Sequence, residues 1–308
     1  MTLPGDSHPV RVTTGMAPSG IAPAEFARLS ALMQQRCGIQ LPESKRVMVE
    51  TRLRKRLQQL GIDSFAAYWR RLTDARHRET ELVALTDVLT TNKTEFLREG
   101  AHFTLLGESV LPHLYQTGAG VRTPLRVWSA ASSTGEEPYT LAMLLDQWGR
   151  SRRPFEYSIL GTDISTRVLE QARLGAYQER AIAALPESWR QSYLLRARGS
   201  SAPAPYRINA ALRARVQFGY LNLMDDDYRL PDRYHIIFCR NVLIYFNRPT
   251  QAAVIGKLIE WLVPGGYLFV GHSESLQGSD FPLATLVPSV YRHLPAWQSG
   301  EMAIRRAS

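Results

Sequence analysis

The apolar residues in the first third of the chain recur at helical spacing. Val49, Leu53 and Leu57 lie four residues apart, and Gly61 follows where that helix is expected to end. The pattern predicts an all-helical domain over residues 21–114.

From about residue 121 the pattern changes to short apolar runs that alternate with amphipathic segments. This alternation is typical of a mostly parallel sheet with helices on both faces. The predicted strands span residues 125–130, 157–162, 216–221, 234–239 and 266–271, with 290–294 as a further edge strand. The predicted helices span residues 136–148, 165–174 and 249–262. We therefore predict a doubly wound α/β domain over residues 121–295.

The alternation breaks down between residues 188 and 215. Strand-like segments at 193–195 and 206–208 flank a stretch rich in glycine, serine and proline at 199–205. We predict a small inserted β lobe here. The segments at 1–20 and 296–308 are expected to be tails, the first of them flexible.

Composition is that of an ordinary globular protein, with 44% hydrophobic and 21% charged residues. We find no apolar run that suits a membrane span or a signal peptide. Cys37 and Cys239 are too few for a disulfide framework or a zinc cluster, and we expect no metal. These features predict a cytoplasmic protein.

The 37 Lys and Arg residues outnumber the 28 Asp and Glu residues and give a net charge of +9. Residues 21–114 carry 14 Lys and Arg residues against 11 Asp and Glu residues, about a third of the excess, and the residues of interest on these predicted helices are Arg46, Arg52, Arg54 and Arg56. A basic surface favours a polyanionic partner, and nucleic acid, an anionic membrane and an acidic protein all remain open. The run also fits an ordinary solvated helix face. We interpret it as a substrate-docking surface.

Candidate chemistry lies in the turns after the predicted strands, since ligands of doubly wound sheets bind at the carboxyl ends of strands. The first turn, residues 129–138, reads SAASSTGEEP. It lacks the glycine pattern of dinucleotide-binding turns, and its acidic pair would repel a pyrophosphate. Glu136 instead suits a ligand with cationic groups, such as the amino and sulfonium groups of S-adenosylmethionine. It also fits simple compensation of the helix dipole.

Asp163 ends the second predicted strand. A carboxylate in this position can accept hydrogen bonds from both hydroxyls of a ribose. Helix capping is the alternative interpretation. Together, Glu136 and Asp163 favour a nucleoside cofactor without identifying it.

Four longer motifs occur in order along the chain: TTNKTEF at 90–96, WSAASSTGEEPY at 128–139, FCRNVLIYF at 238–246 and GHSES at 271–275. Together they resemble the CheR family of chemotaxis receptor methyltransferases, over about residues 25–294. Lys93 departs from the family pattern, in which a smaller apolar residue is common. The resemblance implies a class I methyltransferase, Rossmann-like fold. It also implies that S-adenosylmethionine is the methyl donor, that S-adenosylhomocysteine is the product, and that chemoreceptor glutamates are the substrate.

The resemblance also implies roles for individual residues. The implied cofactor-binding residues are Asn92, Thr94, Arg98, Glu136, Asp163, Asn222, Leu223, Arg240 and Asn241. Arg98 and Tyr245 are the implied catalytic residues, which would orient the reacting carboxylate.

Some of these residues have simpler interpretations when each is taken alone. Asn222 and Asn241 fit turn-forming residues at strand ends, and Tyr245 fits a core or rim position. We interpret Cys239 and His272 as structural residues.

The resemblance further implies a monomer that is recruited to membrane-bound receptor arrays. It would dock on the methylation helices of chemoreceptors, and the sequence leaves open whether its inserted lobe also holds a C-terminal tethering peptide of the receptor. Two alternatives remain. A nucleic-acid methyltransferase is disfavoured because no N-P-P-Y-type motif follows the fourth strand. A cofactor-sensing module without catalysis is disfavoured because the chain retains Asn92, Arg98, Asp163 and Tyr245.

Overall fold

The computed structural model describes residues 20–152, 154–196, 206–276 and 280–295. The tails expected at 1–20 and 296–308 lie outside the described residues, apart from residue 20, as does the stretch at 199–205. The described residues divide into two compact units. The helical unit comprises residues up to Ala31 together with Leu41–Leu89, and the sheet unit comprises Leu32–Gln40 and the residues from Thr90 onward.

Four helices and one short turn lie in the described residues 20–90. They are α1 (Pro23–Cys37), a 3₁₀ turn (Glu43–Lys45), α2 (Arg46–Leu60), α3 (Phe65–Thr73) and α4 (Arg78–Leu89). As the spacing predicts, Val49, Leu53 and Leu57 are completely buried, and Gly61 ends α2 in the left-handed conformation.

The described residues of the sheet unit form ten strands and the remaining helices. The strands are β1 (Leu125–Ala130), β2 (Tyr157–Asp163), β3 (Ala176–Tyr177), β4 (Leu194–Arg196), β5 (Tyr206–Ile208), β6 (Val216–Tyr220), β7 (Tyr234–Cys239), β8 (Leu262–Val270), β9 (Leu283–Val287) and β10 (Val290–His293). The helices are α5 (Ala101–Leu105), α6 (Leu111–Gln116), α7 (Glu136–Gly149), α8 (Thr166–Leu174), α9 (Glu179–Ile182), α10 (Glu187–Tyr193), α11 (Ala210–Arg213) and α12 (Arg248–Glu260). A π-helical segment (Leu106–Val110) joins α5 to α6, and a 3₁₀ turn (Leu243–Tyr245) follows β7.

The main sheet has seven strands in the order β6-β2-β1-β7-β8-β10-β9. The first five are parallel, whereas β10 runs antiparallel to both β8 and β9. The predicted doubly wound, mostly parallel sheet is confirmed. The strand predicted at 290–294 is an inner strand rather than the edge strand, because β9 pairs along its outer side.

Both faces of this sheet are buried, which explains why its strands read as apolar runs. Successive residues of β1, Val127 and Trp128, pack into two different hydrophobic clusters. Ile236 and Ile237 of β7 likewise pack into different clusters, one on each face of the sheet. The central strands therefore sit between two helical layers.

A second sheet of three strands, in the order β3-β5-β4, forms the predicted inserted lobe. The strands expected at 193–195 and 206–208 correspond to β4 and β5, which pair antiparallel. The pattern did not predict β3, which is only two residues long.

The division between the units falls after Leu89, whereas the helical pattern suggested an end near Leu114. Phe103 of α5 and Leu111 of α6 pack into the core that covers the sheet. Helical spacing shows that a segment is amphipathic but not which element it packs against, which explains the difference. Within the described part of the chain, no helix is both long and apolar enough to cross a membrane.

Candidate active site

The five parallel strands end at one edge of the main sheet, which we call the carboxyl edge. Asp163 is the last residue of β2, Arg240 directly follows β7, and Asn222 lies two residues beyond β6. Glu136 opens α7, which follows β1. The structure thus brings these sequence-predicted residues to the turns of a single edge.

Asp163 accepts hydrogen bonds from the turn after β1 and from the turn after β2. Its Oδ2 accepts a hydrogen bond from the Ser133 amide at 2.9 Å, and its Oδ1 accepts one from the Ser165 amide at 2.9 Å. Helix α8 is capped by the Ser165 side chain, which accepts from Val168, so Asp163 is not its N-cap. A carboxylate has about four acceptor positions, so these two bonds are compatible with ribose binding.

Glu136 is a buried carboxyl group with only 6% of its surface exposed. Thr134 donates a hydrogen bond from Oγ1 to its Oε2 at 2.6 Å. Burial raises the pKa of Glu136 above its ordinary value of 4.5. None of the salt bridges among the described residues includes Glu136. A cationic ligand group would supply the missing counter-charge. The alternative role, simple compensation of the helix dipole, requires no such counter-charge.

Left-handed backbone at non-glycine residues is concentrated at the carboxyl edge. Five such residues lie in the turns and segments that meet there: Leu97 (φ 57°), Glu99 (φ 55°), Ala131 (φ 69°), Ser133 (φ 49°) and Asn241 (φ 59°). Each costs about 1–3 kcal/mol and persists only where its surroundings hold it, as is common at functional sites.

Residues 92–98 pass over this edge. The Asn92 carbonyl accepts a hydrogen bond from Ser133 Oγ at 2.9 Å, and the Asn92 side chain donates to Thr90 Oγ1 at 3.2 Å. Arg98 Nη1 donates to the Lys93 carbonyl at 2.9 Å. Asn92, Thr94 and Arg98 are all half-buried, which leaves part of each side chain accessible.

Arg240 lies in a buried ionic network. Its Nη1 donates to Glu137 Oε2 at 2.9 Å, and its Nη2 donates both to Glu99 Oε2 at 2.9 Å and to the Arg98 carbonyl. Only 2% of its side chain is exposed. Sequence reasoning missed Glu99 and Glu137 as its partners, since these contacts join residues more than a hundred positions apart.

Asn241 and Glu274 extend this network. Asn241 Nδ2 donates to Glu99 Oε1 at 3.0 Å, and the Asn241 amide donates to Glu274 Oε2 at 2.8 Å. Burial by itself would raise the pKa of Glu99, but the hydrogen bonds from Asn241 and Arg240 lower this pKa to about 2. Glu274 also accepts from the amides of Gly271 and Ile244, so it ties the turn after β8 to the turn after β7.

Asn222 makes two hydrogen bonds within the protein. Its Nδ2 donates to the Arg36 carbonyl at 2.7 Å, and its Oδ1 accepts from the Met224 amide at 3.1 Å. This is the geometry of a turn-forming asparagine. Leu223 is buried, and its carbonyl accepts from Tyr228 Oη and Lys257 Nζ.

Tyr245 ends the 3₁₀ turn after β7 and is half-buried against the second hydrophobic cluster. This is a rim position that leaves part of the ring accessible. Cys239 is completely buried, and burial raises its pKa, in keeping with a structural residue. His272 is exposed and donates its amide hydrogen to Glu99 Oε2 at 3.3 Å.

Glu99, His102 and His272 place possible metal-ligand atoms within 4.8 Å of one another. The Arg240 guanidinium lies 2.9 Å from the Glu99 carboxylate, however, and disfavours a second cation on it. The expected absence of a metal stays a prediction.

The four arginines of the predicted docking surface are paired within the helical unit. Arg56 binds Glu81 through two hydrogen bonds of 2.8 and 2.9 Å, and the Glu81 side chain is only 1% exposed. Arg54 binds Glu50, Arg46 binds Glu43, and Arg52 donates to the Leu89 carbonyl. Arg56 thus has a structural role that its position in a basic run did not reveal.

Fold and site together define a class of enzyme. Numbered within the main sheet alone, the strands follow the order 3-2-1-4-5-7-6, with an antiparallel pair at one side. This topology, with acidic residues in the turns after its first two strands, defines a class I S-adenosylmethionine-dependent methyltransferase.

Comparison with known proteins identifies the family. The model of the CheR methyltransferase, SAM binding domain, matches residues 92–287, and that of the CheR methyltransferase, all-alpha domain, matches residues 24–90. The chemotaxis protein methyltransferase of Salmonella typhimurium is 39% identical over 256 residues, which cover 83% of this chain and 85% of the relative. That of Klebsiella aerogenes is 40% identical over 257 residues (83% and 84%), and that of Borreliella burgdorferi is 35% identical over 270 residues (87% and 93%). The chain belongs to the CheR methyltransferase family, and its cofactor is S-adenosylmethionine.

Proposed function

We propose that this methyltransferase esterifies glutamate side chains on the cytoplasmic methylation helices of chemoreceptors, as a step in sensory adaptation. The observation that carries the proposal is a pair of complementary groups at the carboxyl edge. Buried Glu136 suits a cationic methyl donor, and the guanidinium of half-buried Arg98 suits a carboxylate acceptor. The names of the relatives, chemotaxis protein methyltransferases, agree with a substrate in that pathway.

In this proposal Glu136 binds the methionyl amino group of the cofactor and Asp163 binds its ribose. Asn92, Thr94 and Arg98 close over the cofactor. The residues proposed to line its adenine and methyl-donor side are Asn222, Leu223, Arg240 and Asn241. Because the side chains of Asn222 and Arg240 make the contacts described above, we assign their contribution to the shape of the surrounding turns.

The chemistry requires no general base. A glutamate carboxyl group has a pKa near 4.3 and is ionised at neutral pH. A carboxylate oxygen attacks the methyl carbon, the carbon–sulfur bond breaks, and its electron pair returns to sulfur. The anion and the sulfonium cation neutralise each other, so alignment at about 3–3.5 Å and removal of water supply most of the acceleration. Arg98 and Tyr245 orient the carboxylate.

We further propose two receptor contacts. The first is the basic surface of the helical unit, defined by Arg46, Arg52 and Arg54, which attracts acidic methylation helices. The second is β4, which lies at the edge of the three-stranded lobe and exposes 58% of Leu195. An open strand edge can pair with an extended peptide such as a receptor tail.

Transfer of a radiolabelled methyl group tests this function. The purified chain is incubated with methyl-labelled S-adenosylmethionine and the cytoplasmic fragment of a chemoreceptor from the same host. We expect label in the receptor that mild base releases as methanol, because esters hydrolyse in base whereas N-methyl groups do not. Label that resists base, or label in nucleic acid instead, would contradict the proposal.

A further inference from the structure

Residues 92–98 are held at both ends. At one end, Ser133 Oγ donates to the Asn92 carbonyl, and at the other, Arg240 and Asn241 bind the Glu99 carboxylate. Between these anchors lie Thr94 and Arg98. No helix or strand forms between Leu89 and Ala101, so the course of this segment depends on side-chain contacts.

The second anchor, Glu99, lies in a stretch where the backbone adopts an unfavourable, left-handed conformation. Leu97 and Glu99 both adopt positive φ, one on each side of Arg98. A non-glycine residue rarely holds this conformation unless its surroundings fix it. Arg240 contacts this stretch twice, through the Glu99 carboxylate and through the Arg98 carbonyl.

Arg240 is itself fixed from the opposite side. Glu137 in the first turn of α7 accepts from Nη1 of Arg240 and also from Ser129 Oγ of β1 at 2.7 Å. The planar guanidinium thus connects the start of α7 to Glu99. A lysine at this position keeps the positive charge but offers a single ammonium group, which cannot reproduce this fork.

We propose that Arg240 and Glu99 are a positioning pair that holds residues 92–98 against the carboxyl edge, so that Asn92, Thr94 and Arg98 meet the cofactor. The side chains of the pair act through the backbone of residues 92–98 and not through contact with the cofactor. This inference rests on the placement of those three residues in the proposed function, but not on the identity of the methyl acceptor.

The test combines Arg240→Lys and Glu99→Gln with two measurements on the full chain. Calorimetry gives the affinity for S-adenosylhomocysteine, and hydrogen exchange gives the opening of residues 92–98. We expect both variants to weaken affinity by roughly tenfold or more, as for the loss of a charged hydrogen bond. We also expect both to speed exchange in this segment more than in the central strands.

Arg56→Lys is the matched control. It weakens a buried two-bond arginine–glutamate pair of the same kind, but in the helical unit. We expect it to lower the unfolding temperature while it leaves cofactor affinity and exchange in residues 92–98 unchanged.

Three outcomes would overturn the proposal. Unchanged affinity and exchange in Arg240→Lys would show that the pair positions nothing. Weaker binding in Arg240→Lys with unchanged binding in Glu99→Gln would indicate direct contact of Arg240 with the cofactor. An equal loss of affinity in Arg56→Lys would indicate a general loss of stability. None of these readouts uses a receptor, so failure of the glutamate proposal remains distinguishable.

Discussion

Glu136, which we propose binds the cofactor, is a buried carboxyl group that should destabilise the unliganded protein. Its pKa in the folded, unliganded chain lies above 4.5, so the folded state binds more protons than the unfolded state as pH rises beyond that value. The sign of this difference means that stability falls as pH rises through the raised pKa. The cationic group of the cofactor would offset that loss.

We therefore expect Glu136→Gln to raise the unfolding temperature of the unliganded protein at neutral pH. The same change should weaken cofactor affinity by about ten- to hundredfold, the usual effect of losing a charged hydrogen bond. Thermal unfolding at several pH values with and without S-adenosylhomocysteine measures both effects. A variant that unfolds at lower temperature than the wild type at neutral pH would contradict this account.

Asp163 combines two tasks, since it holds two turns and is proposed to bind ribose. Asp163→Ala should weaken cofactor binding by on the order of 1–3 kcal/mol, the cost of unpaired buried polar groups. Asp163→Asn keeps the size and one acceptor oxygen, so its loss should be smaller. Calorimetry on both variants checks the order, and unchanged affinity in the alanine variant would remove Asp163 from the site.

Arg98 and Tyr245 are expected to affect turnover more than cofactor binding, because we propose that they orient the acceptor. Tyr245→Phe removes only a hydroxyl group, and we expect single-turnover methylation to slow roughly tenfold, since each 1.4 kcal/mol is tenfold. Arg98→Ala should slow it further, because it also removes positive charge. Full activity in both variants, with folding checked independently, would exclude these roles.

Position in the fold explains which candidate site residues the sequence could indicate. Asp163 ends β2 and Glu136 begins the helix that follows β1, and such positions at strand ends suggest a ligand. Glu99, Glu137 and Glu274 act through partners elsewhere in the chain, and no local pattern marks such pairs. The conformation of Asn241 likewise depends on contacts that only the folded chain supplies.

Among the helices and strands, the predicted bounds agree with the structure for strands that are buried on both faces of the sheet. The predicted bounds of β1 and β7 agree with the structure, because both strands are apolar runs buried on both faces. The pattern missed β9, whose side chains are half-buried or exposed. It also grouped α5 and α6 with the N-terminal helices, because periodicity does not identify the packing partner.

Helix α2 carries two partly exposed arginines, Arg46 and Arg54, and one arginine, Arg56, that is bound to buried Glu81. We expect variants of the two kinds to have different effects. Arg46→Glu and Arg54→Glu change partly exposed side chains, so they should raise the Michaelis constant for receptor and spare cofactor affinity. The effect should shrink as salt rises, since salt screens surface charges. Methylation that is indifferent to salt and to both reversals would assign these arginines to an ordinary solvated face.

Arg56→Ala should behave differently, because it leaves the Glu81 carboxylate buried with a weaker counter-charge from Arg71. Breaking a buried ion pair in this way costs about 3–5 kcal/mol. We expect the variant to unfold at clearly lower denaturant concentration. Stability equal to that of the wild type would show that the pair contributes little.

At the scale of the whole molecule, the chain joins a methyl-donor site to a basic, helical unit. The fold and the cofactor belong to the family, and both follow from motifs spread in order along the sequence. Net charge of +9 indicates a preference for acidic partners but does not identify the partner.

Mass spectrometry of the methylated receptor fragment tests the central claim most directly. After incubation with the chain and S-adenosylmethionine, we predict a mass increase of one methylene group on glutamate residues of the methylation helices. Mild base should remove it, and Arg98→Ala should greatly reduce it. Methylation confined to lysine, arginine or a terminal amine, or none on any receptor of the host by an enzyme shown to bind the cofactor, would contradict the claim.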